Sequence, residues 1–125
     1  MQVVAASDFI LIETPNGNHG CAVATPTTGA QEVSVIRQRQ EPGGYNPAHS
    51  HDREEVMAIL EGTVVVRTDH GSDTLTGGDA VIIPARTTHR VENAGQDYAE
   101  WLLIATAGIR FFHATGEEAM PPWCR

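Results

Sequence analysis

Short apolar runs separated by turn residues dominate this chain. The runs are rich in β-branched and aromatic residues, and Gly, Pro and Asn interrupt them about every 8–12 residues, which is the spacing of a β-sandwich or barrel. No segment shows the sustained period of an amphipathic helix. The pattern therefore predicts an all-β fold with little helix. The clearest runs are 9–12, 33–36, 64–66, 81–83 and 101–104.

The alternation within the run 33–40 predicts which side chains enter the core. Arg37 and Arg39 are expected to face outward, because an unpaired arginine inside a barrel is costly. By the two-residue period of a strand, Ile36, Gln38 and Gln40 then face inward. The run 56–60 is apolar at both parities. Because one barrel has one interior, the second apolar face predicts a homodimer.

Composition narrows the function classes. A length of 125 residues predicts one domain, 1–125. The net charge of -8, with arginine as the only basic residue type besides histidine, argues against a nucleic-acid partner and excludes lysine chemistry. No run is long enough for a membrane span, and the N-terminus lacks the pattern of a secretory signal. With Cys21 and Cys124 as expected free thiols, the prediction is a cytoplasmic protein. The segment 116–125, which contains Pro121 and Pro122, cannot form a central strand.

Candidate metal ligands are concentrated between residues 43 and 62. His49 and His51 are two residues apart, which places both imidazoles on one face of a strand. Glu55 follows at a distance that allows the chain to bend and return, with Glu54 as the alternative carboxylate on the opposite face. His89 opens a later strand after a turn led by Pro84.

These two stretches resemble the cupin superfamily. The first motif of that family, G-x5-H-x-H-x3-E-x6-G, fits from Gly43 to Gly62, and the second, G-x5-P-x-G-x2-H-x3-N, fits from Gly78 to Asn93. Arg86 stands where the family usually has glycine, which puts the local turn geometry in question. The resemblance implies a jelly-roll barrel. It also implies that His49, His51, Glu55 and His89 bind one divalent transition metal ion, and the donor set suits Fe, Mn, Ni, Co, Cu or Zn.

The expected surroundings of the metal follow from parity and from the resemblance. Gln38 is the candidate polar group near the open coordination positions, with a structural amide as the alternative. Trp101, Leu103 and Ala105 are expected to line the pocket, with Ile36 beside them. Tyr45, on the loop before the ligands, is a candidate substrate contact. The other histidines, including His70 and His113, are interpreted as surface or structural residues.

A cupin fold does not determine the reaction. The first hypothesis is a metal-dependent enzyme acting on a small organic molecule, with O₂-dependent cleavage of the Fe(II) dioxygenase type favoured. A non-redox isomerase, decarboxylase or cyclase is the alternative within that class. The second hypothesis is a non-catalytic cupin that binds a small ligand.

Overall fold

The computed structural model describes residues 1–119, and these form two antiparallel sheets of six strands each. The helical residues in this part of the chain lie in two short 3-10 turns, Ala6–Asp8 and Pro26–Thr28. The predicted all-β class is therefore confirmed. The strands are β1 (Ile12–Thr14), β2 (Asn18–Ala24), β3 (Val33–Gln40), β4 (Tyr45–His51), β5 (Glu55–Glu61), β6 (Thr63–Thr68), β7 (Gly71–Thr76), β8 (Ala80–Ile83), β9 (His89–Asn93), β10 (Ala99–Thr106), β11 (Phe111–His113) and β12 (Glu118–Ala119).

The two sheets have the orders β1-β2-β3-β10-β5-β8 and β12-β11-β4-β9-β6-β7, which we name the first and second sheet. Sequence neighbours such as β3 and β4 lie in different sheets, so the chain crosses repeatedly between them, as in a jelly roll. The described part of the C-terminal segment supplies β12 at a sheet edge, in agreement with the expectation that it forms no central strand. Residues 120–125, with Cys124, lie outside the described residues.

The core lies between the sheets and is built from alternate residues of each strand. On β3, Ser34, Ile36, Gln38 and Gln40 are buried, while the arginines at 37 and 39 are half-buried, which confirms the predicted parity. Trp101 and Met57 are almost completely inaccessible to solvent. Truncation of such a buried side chain to alanine typically costs about 2–5 kcal/mol, so these side chains contribute strongly to the stability of the fold.

The outer face of the first sheet is apolar across four neighbouring strands. The strand register places one residue from each of β3, β10, β5 and β8 in a single row, and Ile82 at its end is 65% exposed. The outer face of the second sheet instead carries ion pairs of Glu92 with Arg67 and Arg90. The row consists of Val35, Ile104, Val56 and Ile82.

Two turns explain residues of the sequence motifs. Gly62 has a φ of 86°, and a Cβ atom there would lie 2.6 Å from the Cα atom of Ala99, so only glycine fits between β5 and β6. Arg86 has a φ of 61° and thus adopts the left-handed conformation that a glycine would take. Its backbone N–H donates to the carbonyl of His51 at 2.7 Å. The turn therefore forms with arginine in place of the usual glycine.

The ends of the two motifs are joined by Asn93. Its Nδ2 atom donates to the carbonyl oxygens of Gln40 at 3.1 Å and Asp97 at 2.8 Å, and its Oδ1 accepts from the N–H of Gly95 at 2.9 Å. Its backbone N–H donates to the carbonyl of Gly44 at 2.9 Å. The side chain of Asn93, 4% exposed, thus joins the end of β3 to the turn after β9, and its backbone joins them to the beginning of β4. None of the helices in residues 1–119 is long and apolar enough to cross a membrane.

Candidate metal centre

Both sheets contribute to a cluster of three imidazoles and one carboxylate. His49 and His51 lie on β4, and His89, the first residue of β9, pairs directly with His49 in the second sheet. Glu55 is the first residue of β5 in the first sheet. Because side chains two residues apart share a strand face, both β4 imidazoles reach the interior. Glu54, the alternative carboxylate, is exposed, so the structure selects Glu55.

The four side chains offer ligand atoms that all lie within 4.8 Å of one another. His51, Glu55 and His89 are 2%, 3% and 1% exposed, and His49 is partly buried. The imidazole ring centroids of His49 and His89 are 4.3 Å apart. Three rings and a carboxylate at these distances form a compact, nearly dry donor set.

Backbone carbonyls fix the tautomers of two of the imidazoles. The Nδ1 atom of His49 lies 2.8 Å from the carbonyl oxygen of Pro47, and Nδ1 of His89 lies 2.8 Å from that of Thr87. Since a carbonyl can only accept, both Nδ1 atoms carry the proton in the neutral rings. Each Nε2 then has a free lone pair, which is the usual arrangement of metal-binding histidines.

Three buried nitrogen atoms of the cluster lack hydrogen-bond partners, namely Nδ1 and Nε2 of His51 and Nε2 of His89. Nε2 of His51 and Nε2 of His89 approach the Glu55 carboxylate oxygens to 2.9 and 3.0 Å, but neither approach has hydrogen-bond alignment. Leaving a buried polar atom unpaired costs about 1–3 kcal/mol. A cation shared by the carboxylate and the imidazoles would satisfy Nε2 of His51 and Nε2 of His89, so the residues fit a metal ion.

The protonation states also fit a metal ion. Burial, and next the neighbouring His89, lower the pKa of His49 to about 4, so this imidazole is neutral at pH 7. Burial raises the pKa of Glu55, but His51 and His89 outweigh that effect and lower it to about 2. The site therefore offers a neutral imidazole and an ionised carboxylate, the forms that bind metal.

A cavity of about 390 Å³ opens directly beside the cluster. His49, Glu55 and His89 face this cavity, while His51 lies behind them against the ring of Phe111, at a centroid distance of 4.3 Å. The wall is mainly apolar. Its apolar members include Met57, Val91, Trp101, Leu103 and Phe111.

Three of the five other residues expected to line the pocket do so, and two do not. Gln38 and Trp101 line the cavity, and the indole N–H of Trp101 donates to Oε1 of Gln38 at 2.9 Å. Leu103 also lines it, whereas Ile36 packs in the core and Ala105 is outside the cavity wall.

Tyr45 does not line the cavity, contrary to its expected place beside the substrate. It begins β4 instead of lying on a loop, and in the sheet it pairs with the outward-facing Glu92. Its ring packs against the guanidinium of Arg90, 4.3 Å from the centroid. By simple alternation Tyr45 would share the face of His49 and His51, but the β4–β9 register shifts between Asn46 and His49. This irregularity reverses the alternation, so Tyr45 faces outward with Glu92.

Among the cavity residues that the sequence interpretation missed, His113 is the titratable one. It lies on β11, where it pairs with His49 on β4, and it lines the mouth of the cavity. The available signal was the strand parity it shares with Phe111, another lining residue. That signal has meaning only once β11 is known to pair with β4.

Comparison with known proteins agrees with this geometry. The family described as the cupin domain matches residues 36–105, a range that contains all four cluster residues. Auxin-binding protein 1 of Arabidopsis thaliana is 27% identical over 108 residues, covering 78% of this chain and 54% of the relative. Germin-like protein 1-1 of Oryza sativa subsp. japonica is 28% identical, over 95% of this chain and 64% of its own. The chain therefore spans about half the length of the curated relatives it matches.

Solved structures show the same architecture. The polyketide cyclase RemF from Streptomyces resistomycificus superimposes with a TM-score of 0.77 at 21% identity, covering 87% of this chain and 81% of that one. An oxalate oxidase in complex with the substrate analogue glycolate superimposes with a TM-score of 0.68 at 26% identity, over 78% of this chain and 56% of that one. With the family match over more than half of its length and the jelly-roll sheets around one buried histidine and carboxylate cluster, this chain belongs to the cupin family.

Proposed function

We propose that the chain is a metal-dependent enzyme that acts on a small organic molecule, and that His49, His51, Glu55 and His89 hold one divalent transition metal ion. The observation that carries this proposal is the cluster in which the buried Nε2 atoms of His51 and His89 have no hydrogen-bond partner. Histidine and carboxylate donors suit Fe, Mn, Ni, Co, Cu or Zn. When bound, such an ion supplies Lewis acidity or one-electron redox chemistry.

The position of the cavity supports an open site over a purely structural one. Structural zinc sites are closed, with all donors from the protein. Here three members of the cluster, His49, Glu55 and His89, line the cavity, whereas His51 does not. A small molecule in the cavity can therefore reach the side formed by those three residues. The volume of about 390 Å³ limits the substrate to a small molecule. The described lining residues include no cysteine, serine or lysine, which supports the metal cluster as the centre of the chemistry.

For the reaction, we propose O₂-dependent oxidation, as in a dioxygenase, of a flat and partly apolar substrate. The apolar wall formed by Met57, Leu103 and Trp101 suits such a molecule and would exclude water from the reacting atoms. The oxalate oxidase relative, at 26% identity, supports an oxidation, whereas the resemblance to the cyclase, at 21%, concerns the fold. A non-redox isomerisation, decarboxylation or cyclisation is the competing reaction, and non-catalytic ligand binding is the competing function.

The metal proposal is tested by counting bound ions. The protein is stripped with a chelator, reloaded in turn with Fe(II), Mn(II), Co(II), Ni(II), Cu(II) and Zn(II), and analysed for metal content. We expect one ion per chain in the wild-type protein and a large loss in His51→Ala. The matched control is His70→Ala, because His70 is exposed in the turn between β6 and β7 and outside the cluster. Equal metal content in both variants would refute the ligand assignment.

The reaction is tested with the same metal-loaded samples. Oxygen consumption is followed with a panel of catechols, enols and keto acids, and products are identified by mass spectrometry. An oxygenase consumes O₂ with a redox-active ion and is inactive with Zn(II). Turnover with Zn(II) in the absence of O₂ would replace the oxygenase with a non-redox enzyme. Ligand binding without turnover under any loading would favour the non-catalytic alternative.

A further inference from the structure

We infer that Gln38 is a specificity-determining residue, whose side-chain amide presents N–H donors to the cavity and selects a substrate with an oxygen acceptor at the end remote from the metal cluster. The substrate class is thus a molecule with metal-binding oxygens at one end, an apolar body and a carbonyl-type oxygen at the other end. This inference rests on the proposed function, because it takes the cluster as the other anchor of the substrate.

Trp101 determines the orientation of the Gln38 amide. The indole N–H is a donor without acceptor capacity, and it lies 2.9 Å from Oε1 of Gln38. The reversed amide would place two donors against each other, so Oε1 must face the indole. Trp101 is fully buried and held by the core, which keeps this contact in place. The amide nitrogen of Gln38 is therefore directed away from the indole.

The amide nitrogen of Gln38 forms no hydrogen bond with the described residues. Nε2 of Gln38 has no partner among the described residues, although the side chain is 6% exposed. Gln38 Nε2 is absent from the set of unpartnered atoms that are inaccessible to solvent. It is therefore accessible from the cavity that Gln38 lines. The other buried amide of the wall, Asn18, is fully used: Nδ2 donates to the carbonyls of Pro15 and Tyr45, and Oδ1 accepts from Gln40.

The strand register separates Gln38 from the metal cluster. Gln38 pairs with Trp101 on β10, whereas Glu55 pairs with Ala105 of the same strand. Four residues along a strand correspond to about 13 Å between backbone positions. The apolar side chains of Met57 and Leu103, which pair with each other, lie at the level between them. The cavity is thus polar at two ends and apolar between, and a substrate that spans it needs the same order of groups.

The probes for a test are 3,4-dihydroxyacetophenone and 4-isopropylcatechol, which share a metal-binding diol and differ in the acceptor at the remote end. Their shapes are nearly the same. Binding to Zn(II)-loaded protein is measured by calorimetry, so the readout is independent of activity. The ketone also acidifies the diol, and the informative quantity is therefore the change in the affinity ratio between the wild-type protein and each variant.

In Gln38→Glu the Trp101 contact can persist while the donors become acceptor oxygens. We expect the preference for the ketone over the alkyl probe to fall by at least about 3- to 10-fold, because one neutral hydrogen bond is lost and the introduced carboxylate also repels the ketone oxygen. Gln38→Leu should lower the preference about 3- to 10-fold, because it removes the donor without adding a charge. Trp101→Phe should also lower the preference, because the amide can then rotate. Melting temperatures of all variants verify that they are folded.

An unchanged affinity ratio in both Gln38 variants would overturn the inference. A loss in Gln38→Glu together with an unchanged ratio in Trp101→Phe would overturn the role of Trp101 as the positioning residue. Failure of the proposed function has a different signature. In that case, metal-free protein binds 4-isopropylcatechol as tightly as Zn(II)-loaded protein does, whatever the preference for the ketone.

Discussion

The substitution Asn93→Asp tests the junction of the two motifs with almost no change of shape. In the wild-type protein the Nδ2 group donates to the carbonyl oxygens of Gln40 and Asp97, at 3.1 and 2.8 Å. The substitution replaces this donor with an oxygen that repels both carbonyls, in a side chain that is 4% exposed. The hydrogen bond from the N–H of Gly95 is kept, so the loss is confined to one atom.

The magnitude follows from the two lost bonds and the buried charge. Two hydrogen bonds contribute about 2 kcal/mol together, and a buried carboxylate without a cationic partner adds to this loss, for a total of about 3–5 kcal/mol at pH 7. For a chain of 125 residues, 1 kcal/mol corresponds to about 3–5 °C in melting temperature, so the expected decrease is about 10–20 °C.

The stability difference between Asn93→Asp and the wild-type protein should depend on pH in a definite direction. Burial and the two carbonyls raise the pKa of the introduced carboxyl in the folded state above its ordinary value of about 3.9. The folded variant then binds the proton more tightly than the unfolded chain does. Its stability deficit relative to wild type is largest at pH 7 and shrinks as the pH falls below the raised pKa.

The assay is urea unfolding of the wild-type protein, Asn93→Asp and the charge control Asn16→Asp between pH 7 and pH 5. Asn16 is exposed in the turn after β1, so its variant should remain within about 0.5 kcal/mol of wild type. A deficit of Asn93→Asp that is no larger than that of the control, or that grows as the pH falls, would refute the reasoning.

Three further predictions concern the turn, the sheet face and the cluster. Arg86→Gly should be more stable to urea than Arg86→Ala by about 0.5–1 kcal/mol, because alanine keeps the strain of the left-handed turn; equal stabilities would contradict this. We predict a homodimer through the apolar face of the first sheet, with twice the chain mass of 13.5 kDa by light scattering. Ile82→Arg should give the monomer, Thr74→Arg on the other sheet should not, and a monomeric wild type would refute the dimer. Because the pKa of His49 is lowered to about 4, the metal-free protein should lose stability as the pH falls from about 6.5 towards 4, and urea midpoints that stay flat over this range would exclude that effect.

Much of the site could be predicted because it depends on local patterns. The parity of β3 placed Gln38 inside, and the two-residue spacing put both β4 imidazoles on one face. Parity also distinguished Glu55 from Glu54. These properties depend on neighbouring residues in one strand, where backbone geometry alone determines the outcome.

The rest depends on pairing between distant segments. His113 reaches the cavity only because β11 pairs with β4, more than 50 residues earlier in the chain, and no local pattern encodes that register. Tyr45 faces outward, contrary to prediction, because the register of β4 with β9 shifts between Asn46 and His49, and no local pattern in the sequence marks that irregularity. The roles of Gln38 as donor and Trp101 as its partner required the register of β3 with β10.

Contacts at both ends of the barrel link the two sheets, but the two sets of contacts differ in kind. At one end the link consists of hydrogen bonds within the protein. Asn93 of the second sheet donates to the carbonyl of Gln40 in the first sheet, and the Gln40 side chain donates to the carbonyl of Val91. At the other end, Glu55 of the first sheet lies beside the imidazoles of the second. An ion bound there would link the two sheets reversibly, because it can be removed by a chelator. Stripping the metal should therefore loosen only one end of the sandwich. Amide hydrogen exchange should become faster near residues 49–55 and 89 and stay slow near residues 40 and 93, whereas uniform acceleration would show that the ion stabilises the whole barrel.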